Sequence, residues 1–193
     1  MVLGFLIAQK KIKFNNANVV QLVERYPSKL DVVGSSPIIR LYKYIKIFLM
    51  EKLFKQLSDA QASLFILFQK TWVYHWDVVG PDFHQLHTLF GEQYNTMFEE
   101  IDTLTEHMRY LGMKPVSTLT RIIEVSVINE ANSSINANEM IRELRDDNMK
   151  ICDILTDVSE EADSQRQYAT SNLVQSITET HGKFIWMLRS FLE

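Results

Sequence analysis

The sequence predicts an all-α protein, a bundle of four long helices with a short helix in the connection between the second and the third. Two observations lead to this fold class. Six glycines and four prolines in 193 residues leave little turn chemistry for a many-stranded sheet. From Met50 onward, apolar residues recur at intervals of three and four residues over four long stretches, which is helical spacing.

The chain divides by charge into two parts. Residues 1–49 carry a net charge of +6, and residues 50–193 carry −10. We therefore expect a basic N-terminal extension over residues 1–49 and one helical domain over residues 50–193. The single cysteine excludes a disulfide-stapled fold and favours a cytoplasmic location. The apolar runs near the N-terminus are too short to span a membrane.

Two hypotheses account for the extension. Residues 19–25 and 34–37 resemble the conceptual translation of a transfer-RNA gene, which would make residues 1–49 a gene-model artefact with Met50 as the true start. In the alternative, the extension is an expressed, disordered arm whose cations contact phosphates. The lysines available for such contacts are Lys10, Lys11, Lys13, Lys43 and Lys46.

The apolar pattern sets the helices in order. We expect long helices over residues 51–78, 83–111, 131–159 and 163–191, and a short helix over residues 121–128. Gly80 and Pro81 end the first helix, and Asp82 is a suitable N-cap for the second. The long connection between the second and third helices favours a crossover of ferritin-like type over a simple hairpin.

Four side chains are candidates for a divalent iron site: His75, His87, Asp102 and Glu106. Asp102 and Glu106 are four residues apart and share one helical face. Imidazole and carboxylate groups together bind Fe(II) while leaving positions open for an oxidant. The less specific interpretation is two hydrogen-bonded core histidines and two solvated acids, with Arg109 as an ion-pair partner.

Helix geometry restricts how these residues can act together. His87 and Asp102 are fifteen residues apart on one predicted helix, roughly 22 Å at about 1.5 Å per residue, so they cannot bind the same ion within one chain. Two copies of this helix packed antiparallel about a twofold axis would bring His87 of one chain near Asp102 and Glu106 of the other. No Glu-x-x-His pair occurs in the chain, which argues against an intrachain di-iron bundle.

The residues from Tyr74 to His87 read Tyr-His-Trp-Asp-Val-Val-Gly-Pro-Asp-Phe-His-Gln-Leu-His. Together with residues 101–106 and 111–112, this run strongly resembles the Dps family, the DNA-binding proteins from starved cells, over about residues 51–193. Members are ferritin-like four-helix bundles that assemble as twelve-subunit hollow shells. They oxidise Fe(II) with hydrogen peroxide and store the ferric mineral inside.

The resemblance implies a ferroxidase site at a twofold interface, with two iron ions per site. His75 and His87 would come from one subunit, and Asp102 and Glu106 from its partner, as both metal ligands and catalytic residues. Trp76 matches the family's tryptophan beside the site. The implied protein is a cytoplasmic homo-oligomer, a dodecamer, that sequesters iron and protects against oxidative stress.

One departure from the family's pattern affects the expected iron site. The family usually has an acid four residues after the second histidine, and here that position is Gly91, so the weaker iron position loses a ligand.

The alternative function is a nucleoid-associated, DNA-binding protective protein in which iron oxidation is secondary. Residues 50–193 carry a net charge of −10 and should repel phosphate. We therefore do not expect DNA binding without residues 1–49.

Overall fold

A computed structural model of the protein describes the backbone from Pro37 to Glu193 and the side chains from Met50 onward. Over this range the chain is all-α, as predicted, with residues 51–193 in one compact unit. The helices are α1 (Pro37–Asp77), α2 (Phe83–Tyr110), α3 (Leu119–Val125), α4 (Ala137–Ser164) and α5 (Tyr168–Ser190). The transfer-RNA-like residues before Pro37 and the lysines Lys10, Lys11 and Lys13 lie outside the described residues. Lys43 and Lys46 lie on the helical backbone at the start of α1, and their side chains are outside the described part. The domain boundary at Met50 stays a prediction.

Cross-helix contacts define the topology of the bundle. Residues late in α1 face residues early in α2 and early in α4, so α1 is antiparallel to both, as the contacts His75–His87 and Tyr74–Glu143 illustrate. Helix α5 is antiparallel to α2 and α4 by the same test. Helices α2 and α4 are therefore parallel. A parallel pair requires a connection that runs the length of the bundle, which is the predicted crossover with α3 inside it.

The core is built from one apolar stripe on each long helix. The most buried side chains of these stripes have no measurable exposure. Burying each of them contributes about 1.5–3 kcal/mol relative to leaving it exposed. They include Leu57, Leu64 and Leu67 on α1, Phe90, Met97 and Leu104 on α2, Leu144 and Leu155 on α4, and Val174 and Leu188 on α5. None of the helices in the described part of the chain has the length and hydropathy needed to cross a membrane.

Two buried polar residues of α1 hold the crossover in place. The Gln61 amide donates to the carbonyl of Val116 and accepts from its backbone N–H, both at 3.0 Å. The Ser63 hydroxyl accepts from the backbone N–H of Val127 at 3.1 Å. The buried α1 side chains thus provide the crossover backbone with hydrogen bonds that a helix or strand would otherwise supply.

Several predicted helix boundaries are wrong: α1 begins at Pro37 and not at residue 51, and the predicted bounds 131, 159 and 163 around the α4–α5 turn are each displaced by about five residues. Helix α4 begins after Asn136, not at residue 131, because Asn136 and Glu139 form a reciprocal capping box. It continues past residue 159 to Ser164, and the turn that follows has Arg166 in the left-handed region at φ 60°. No glycine or proline marks this turn. The predicted N-cap Asp82 occupies the N-cap position of α2, but its side chain makes no capping hydrogen bond.

The side chain of Gln93 on α2 is fully buried, and neither its amide oxygen nor its amide nitrogen has a hydrogen-bond partner among the described residues. Burying such groups unpaired is unfavourable. We predict that Gln93→Met, which keeps the length of the side chain, raises the free energy of unfolding by about 1–3 kcal/mol. Chemical denaturation followed by circular dichroism tests this.

The matched control is Gln85→Met, an exposed position on the same helix that should change stability by about 0.5 kcal/mol or less. A destabilisation by Gln93→Met would contradict the prediction.

Candidate metal centre

His75 and His87 lie next to each other where α1 ends and α2 begins. Helix α1 stops at Asp77, and Gly80, at φ +121°, turns the chain in a conformation that favours glycine. The backbone N–H of Phe83 then donates to the carbonyl of Gly80 as α2 starts. The Gly80 break predicted from the sequence is therefore the turn that places the two histidines side by side.

The two imidazoles are held by reciprocal hydrogen bonds. His75 Nδ1 lies 2.6 Å from the carbonyl oxygen of His87, and His87 Nδ1 lies 2.8 Å from the carbonyl oxygen of His75. Because a carbonyl only accepts, each Nδ1 carries the proton and donates it. In the neutral rings, each Nε2 then has a free lone pair. Hydrogen bonding of this kind fixes the tautomer and orientation of histidines that bind metals.

The rings also pack against each other. Their centroids are 3.7 Å apart and their planes differ by 19°, so they are stacked. Phe83 stacks on the far side of His87 at 5.1 Å, and Tyr94 meets His75 edge-on at 5.2 Å. Both histidines are half-buried, which leaves part of each ring accessible from outside the chain.

Gly91 is a buried helical residue directly against His75. A Cβ built at this position would be 3.2 Å from His75 Cε1 and 3.4 Å from His75 Nδ1. The first distance is tighter than most real contacts, so a side chain at position 91 would require the His75 ring to shift by a few tenths of an ångström.

Asp102 and Glu106 lie on the same helix as His87, as predicted, and the structure does not bring them to the histidines. Both are exposed, and within residues 50–193 neither forms an ion pair, while Arg109 instead donates to the carbonyl of Met113. In the described part of the chain, no group of three or more His, Cys, Asp or Glu side chains is arranged to hold a metal ion. One chain therefore contains two separate halves of the predicted ligand set.

An aromatic surface flanks the histidine pair on α1 and α2. The indole rings of Trp72 and Trp76 are 4.7 Å apart, and Phe68 contacts Trp72, Tyr94 and Phe98 at 5.7–6.3 Å. Trp76 is 56% exposed and Phe98 is 59% exposed. The exposure of Trp72 and Trp76 in the single chain favours packing at an interface over packing in the core.

His181, His107 and Cys152 have structural surroundings. His181 is fully buried with its ring nitrogens 2.6 Å from Asn148 Oδ1 and 3.2 Å from Glu100 Oε2. Burial lowers the pKa of His107, whose Nε2 contacts a threonine hydroxyl. Burial also raises the pKa of the Cys152 thiol, which packs within α4 as expected.

Tyr74 is a contact residue that the sequence analysis did not single out. Its ring is fully buried, but its hydroxyl also donates to Glu143 Oε2 at 2.5 Å and accepts from the backbone N–H of Asn132 at 3.2 Å. Burial and the bond to Glu143 raise the pKa of the phenol far above its usual range, so the hydroxyl stays protonated. No fixed sequence spacing connects Tyr74 to Glu143, so the sequence held no signal for this contact.

Comparisons with known proteins agree with this arrangement. A family model for the ferritin-like domain matches residues 54–193. The DNA protection during starvation protein of Brevibacillus brevis is 34% identical over 140 residues, which cover 71% of this chain and 92% of the relative. The chain belongs to the Dps family of ferritin-like proteins. The resemblance noted in the sequence and the predicted ferritin-like fold are thereby confirmed.

Solved Dps structures share the fold. A Dps protein from Bacillus brevis superposes with a TM-score of 0.73 at 31% identity, covering 75% of this chain and 97% of that one. The Dps protein of Vibrio cholerae O1 superposes with a TM-score of 0.72 at 26% identity, covering 76% of this chain and 92% of that one. The Vibrio protein is described as a member of a broad superfamily of ferritin-like diiron-carboxylate proteins.

The reciprocal hydrogen bonds predict the tautomer of the metal-free histidines. In the metal-free protein, the neutral imidazoles of His75 and His87 should both be protonated on Nδ1 and bare on Nε2. Magic-angle-spinning NMR of protein labelled with ¹⁵N-histidine measures this, with His75→Ala and His87→Ala spectra to assign the signals. Protonation on Nε2 of either ring would contradict the hydrogen-bond arrangement.

Proposed function

We propose that this Dps protein is a ferroxidase that oxidises Fe(II) with hydrogen peroxide and stores the ferric product inside a hollow homo-oligomer of twelve copies. The observation that carries the proposal is the stacked, half-buried His75–His87 pair, in which backbone carbonyls engage both Nδ1 atoms and leave the two Nε2 atoms to bind metal. The family match and the diiron-carboxylate description of the Vibrio relative support iron as the substrate. Storing iron away from peroxide would protect the cell against oxidative damage.

A second copy of the chain completes the site. If two α2 helices pack antiparallel about a twofold axis, His87 of one chain approaches the partner's Asp102 and the partner's Glu106. Three features fit this pairing: the two carboxylates are exposed and unpaired, the histidines are accessible, and an exposed aromatic surface lies beside them. Each dimer then contains two equivalent sites. The count of twelve subunits follows from family resemblance.

The stacking of the imidazoles supports two iron ions per site. The lone pair of each Nε2 lies in the plane of its own ring, and a metal ion sits about 2.0–2.1 Å from an imidazole nitrogen. With ring centroids 3.7 Å apart and nearly parallel planes, one ion cannot lie in both planes at that distance. Each histidine therefore suits its own ion, as two-metal sites require.

The pairing of two ions determines the redox chemistry. Hydrogen peroxide takes two electrons when its O–O bond breaks to give two waters, and two Fe(II) ions supply one electron each, with two protons taken from solvent. Because both electrons come from neighbouring iron ions, no one-electron product such as hydroxyl radical is released. Asp102 and Glu106 supply the negative charge that stabilises the ferric state.

The alternative function is protection of DNA in the nucleoid, with iron oxidation secondary. The name of the Brevibacillus relative and the net charge of +6 on residues 1–49 favour this alternative. The net charge of −10 on residues 50–193 opposes it. A salt-sensitive shift of DNA that disappears when residues 1–49 are removed would support it. We place the protein in the cytoplasm under either function.

The proposed function predicts the stoichiometry of oxidation. Anaerobic loading with Fe(II), followed by peroxide, should oxidise about two Fe(II) per peroxide, and the iron should co-elute with the oligomer on size exclusion. Asp102→Asn should slow the reaction about tenfold or more by removing a ligand charge. Asp157→Asn, at an exposed position on α4, removes the same charge without touching the site and should react normally.

An oxidation rate that is unchanged in both Asp102→Asn and His75→Ala would refute the site. Slow oxidation by the wild-type protein, with iron left unretained, would mean that the Gly91 departure has disabled catalysis and left only a shell.

Substitutions at Gly91 can separate the effect of a carboxylate on the second iron position from the effect of added bulk. Gly91→Asp adds the missing carboxylate but also a Cβ at 3.2 Å from His75, whereas Gly91→Ala adds only the Cβ. We expect Gly91→Asp to bind the second Fe(II) more tightly than Gly91→Ala, because only the carboxylate can act as a ligand. Anaerobic Fe(II) titration measures both, and equal stoichiometry and affinity in the two variants would contradict this expectation.

A further inference from the structure

The hydroxyl of Tyr74 joins three segments of the fold. Tyr74 lies in the last turn of α1, the Glu143 that it donates to lies in α4, and the Asn132 N–H that it accepts from lies in the segment before α4. Both bonds form around a side chain with no exposure to solvent. A single oxygen atom therefore fixes the end of α1 to the neighbouring helix and to the end of the crossover.

Charged side chains make this contact rigid. One turn earlier on α1, the ammonium of Lys70 lies 2.7 Å from Asp147 and 3.6 Å from Glu143, and Lys150 donates to Asp147 at 2.8 Å. Lys70 and Asp147 are almost completely buried. Buried charges remain ionised only when their partners stay in place, so this network tolerates little displacement of α1 relative to α4.

The histidine pair depends on the same turn of α1. His75 follows Tyr74 directly, and α1 ends two residues later at Asp77. The carbonyl oxygen of His75 accepts the Nδ1 proton of His87, so the backbone position of residue 75 also sets the orientation of the second ring. Helix ends fray unless side chains hold them. In this last turn, the Tyr74 hydroxyl supplies hydrogen bonds that reach from α1 to α4 and to the crossover.

We propose that Tyr74 is a positioning residue for the metal centre. Its hydroxyl holds the last turn of α1 against α4, and this keeps both imidazoles stacked with their Nε2 lone pairs aimed outward before metal binds. The inference rests on the proposed function, since it assigns metal binding to the histidine pair. Metal sites lose affinity when their ligands are displaced by a fraction of an ångström, so loss of this single oxygen should be measurable.

The test compares two buried hydroxyl groups on α1. Tyr74→Phe removes the acceptor for the Asn132 N–H, and Ser63→Ala removes the acceptor for the Val127 N–H, far from the histidines. Both variants should unfold at a lower denaturant concentration than the wild type, because each loses a hydrogen bond between α1 and the crossover. Only Tyr74→Phe should weaken Co²⁺ binding by the full-length oligomer, by about tenfold in calorimetric titration.

A second readout does not require metal. In Tyr74→Phe the ¹⁵N signals of His75 and His87 should broaden or split as the rings sample other orientations, and in Ser63→Ala they should match the wild type. Equal Co²⁺ affinity in the two variants, with unchanged histidine signals, would overturn the positioning role. If the wild-type protein binds no Co²⁺ but the histidine signals respond to Tyr74→Phe, the proposed function fails and the positioning role stands.

Discussion

The unbroken length of α2 is the constraint on which the candidate metal centre depends. From Phe83 to Tyr110 the helix has no kink-forming proline, and its rise separates His87 from Asp102 by roughly 22 Å. Imidazoles at one end and carboxylates near the other cannot meet while the helix stays straight. The rigidity that makes α2 a good bundle helix therefore also makes a metal centre of this composition a property of two chains.

The bundle around α2 is held by polar contacts as well as by its apolar stripes. Gln61 and Ser63 pin the crossover to α1, and the Lys70–Asp147 ion pair joins α1 to α4. Such contacts add little net stability compared with apolar packing, but they have strict geometric requirements. They specify which helices are neighbours and in which register, and the register of α1 places His75 opposite His87.

The fold was accessible from the sequence because helical periodicity and the Gly80-Pro81 break are local signals. The α4–α5 turn was not, because Arg166 adopts a left-handed conformation that its residue type does not announce. Within the candidate site, residue types and spacing indicated His75, His87, Asp102 and Glu106, and family resemblance divided them between subunits. The stacking of the two rings and the roles of Tyr74 and Gly91 depend on contacts between distant segments, which no spacing rule encodes.

The division of the ligand set along one helix has a genetic consequence under the proposed pairing. A chain without its imidazoles and a chain without its carboxylates, joined as a heterodimer, form one site with all four side chains and one site with none. Two alleles that are each inactive alone would then complement each other within a mixed oligomer. The same arithmetic makes a defective allele less than fully dominant, because one of the two sites in each mixed dimer stays complete.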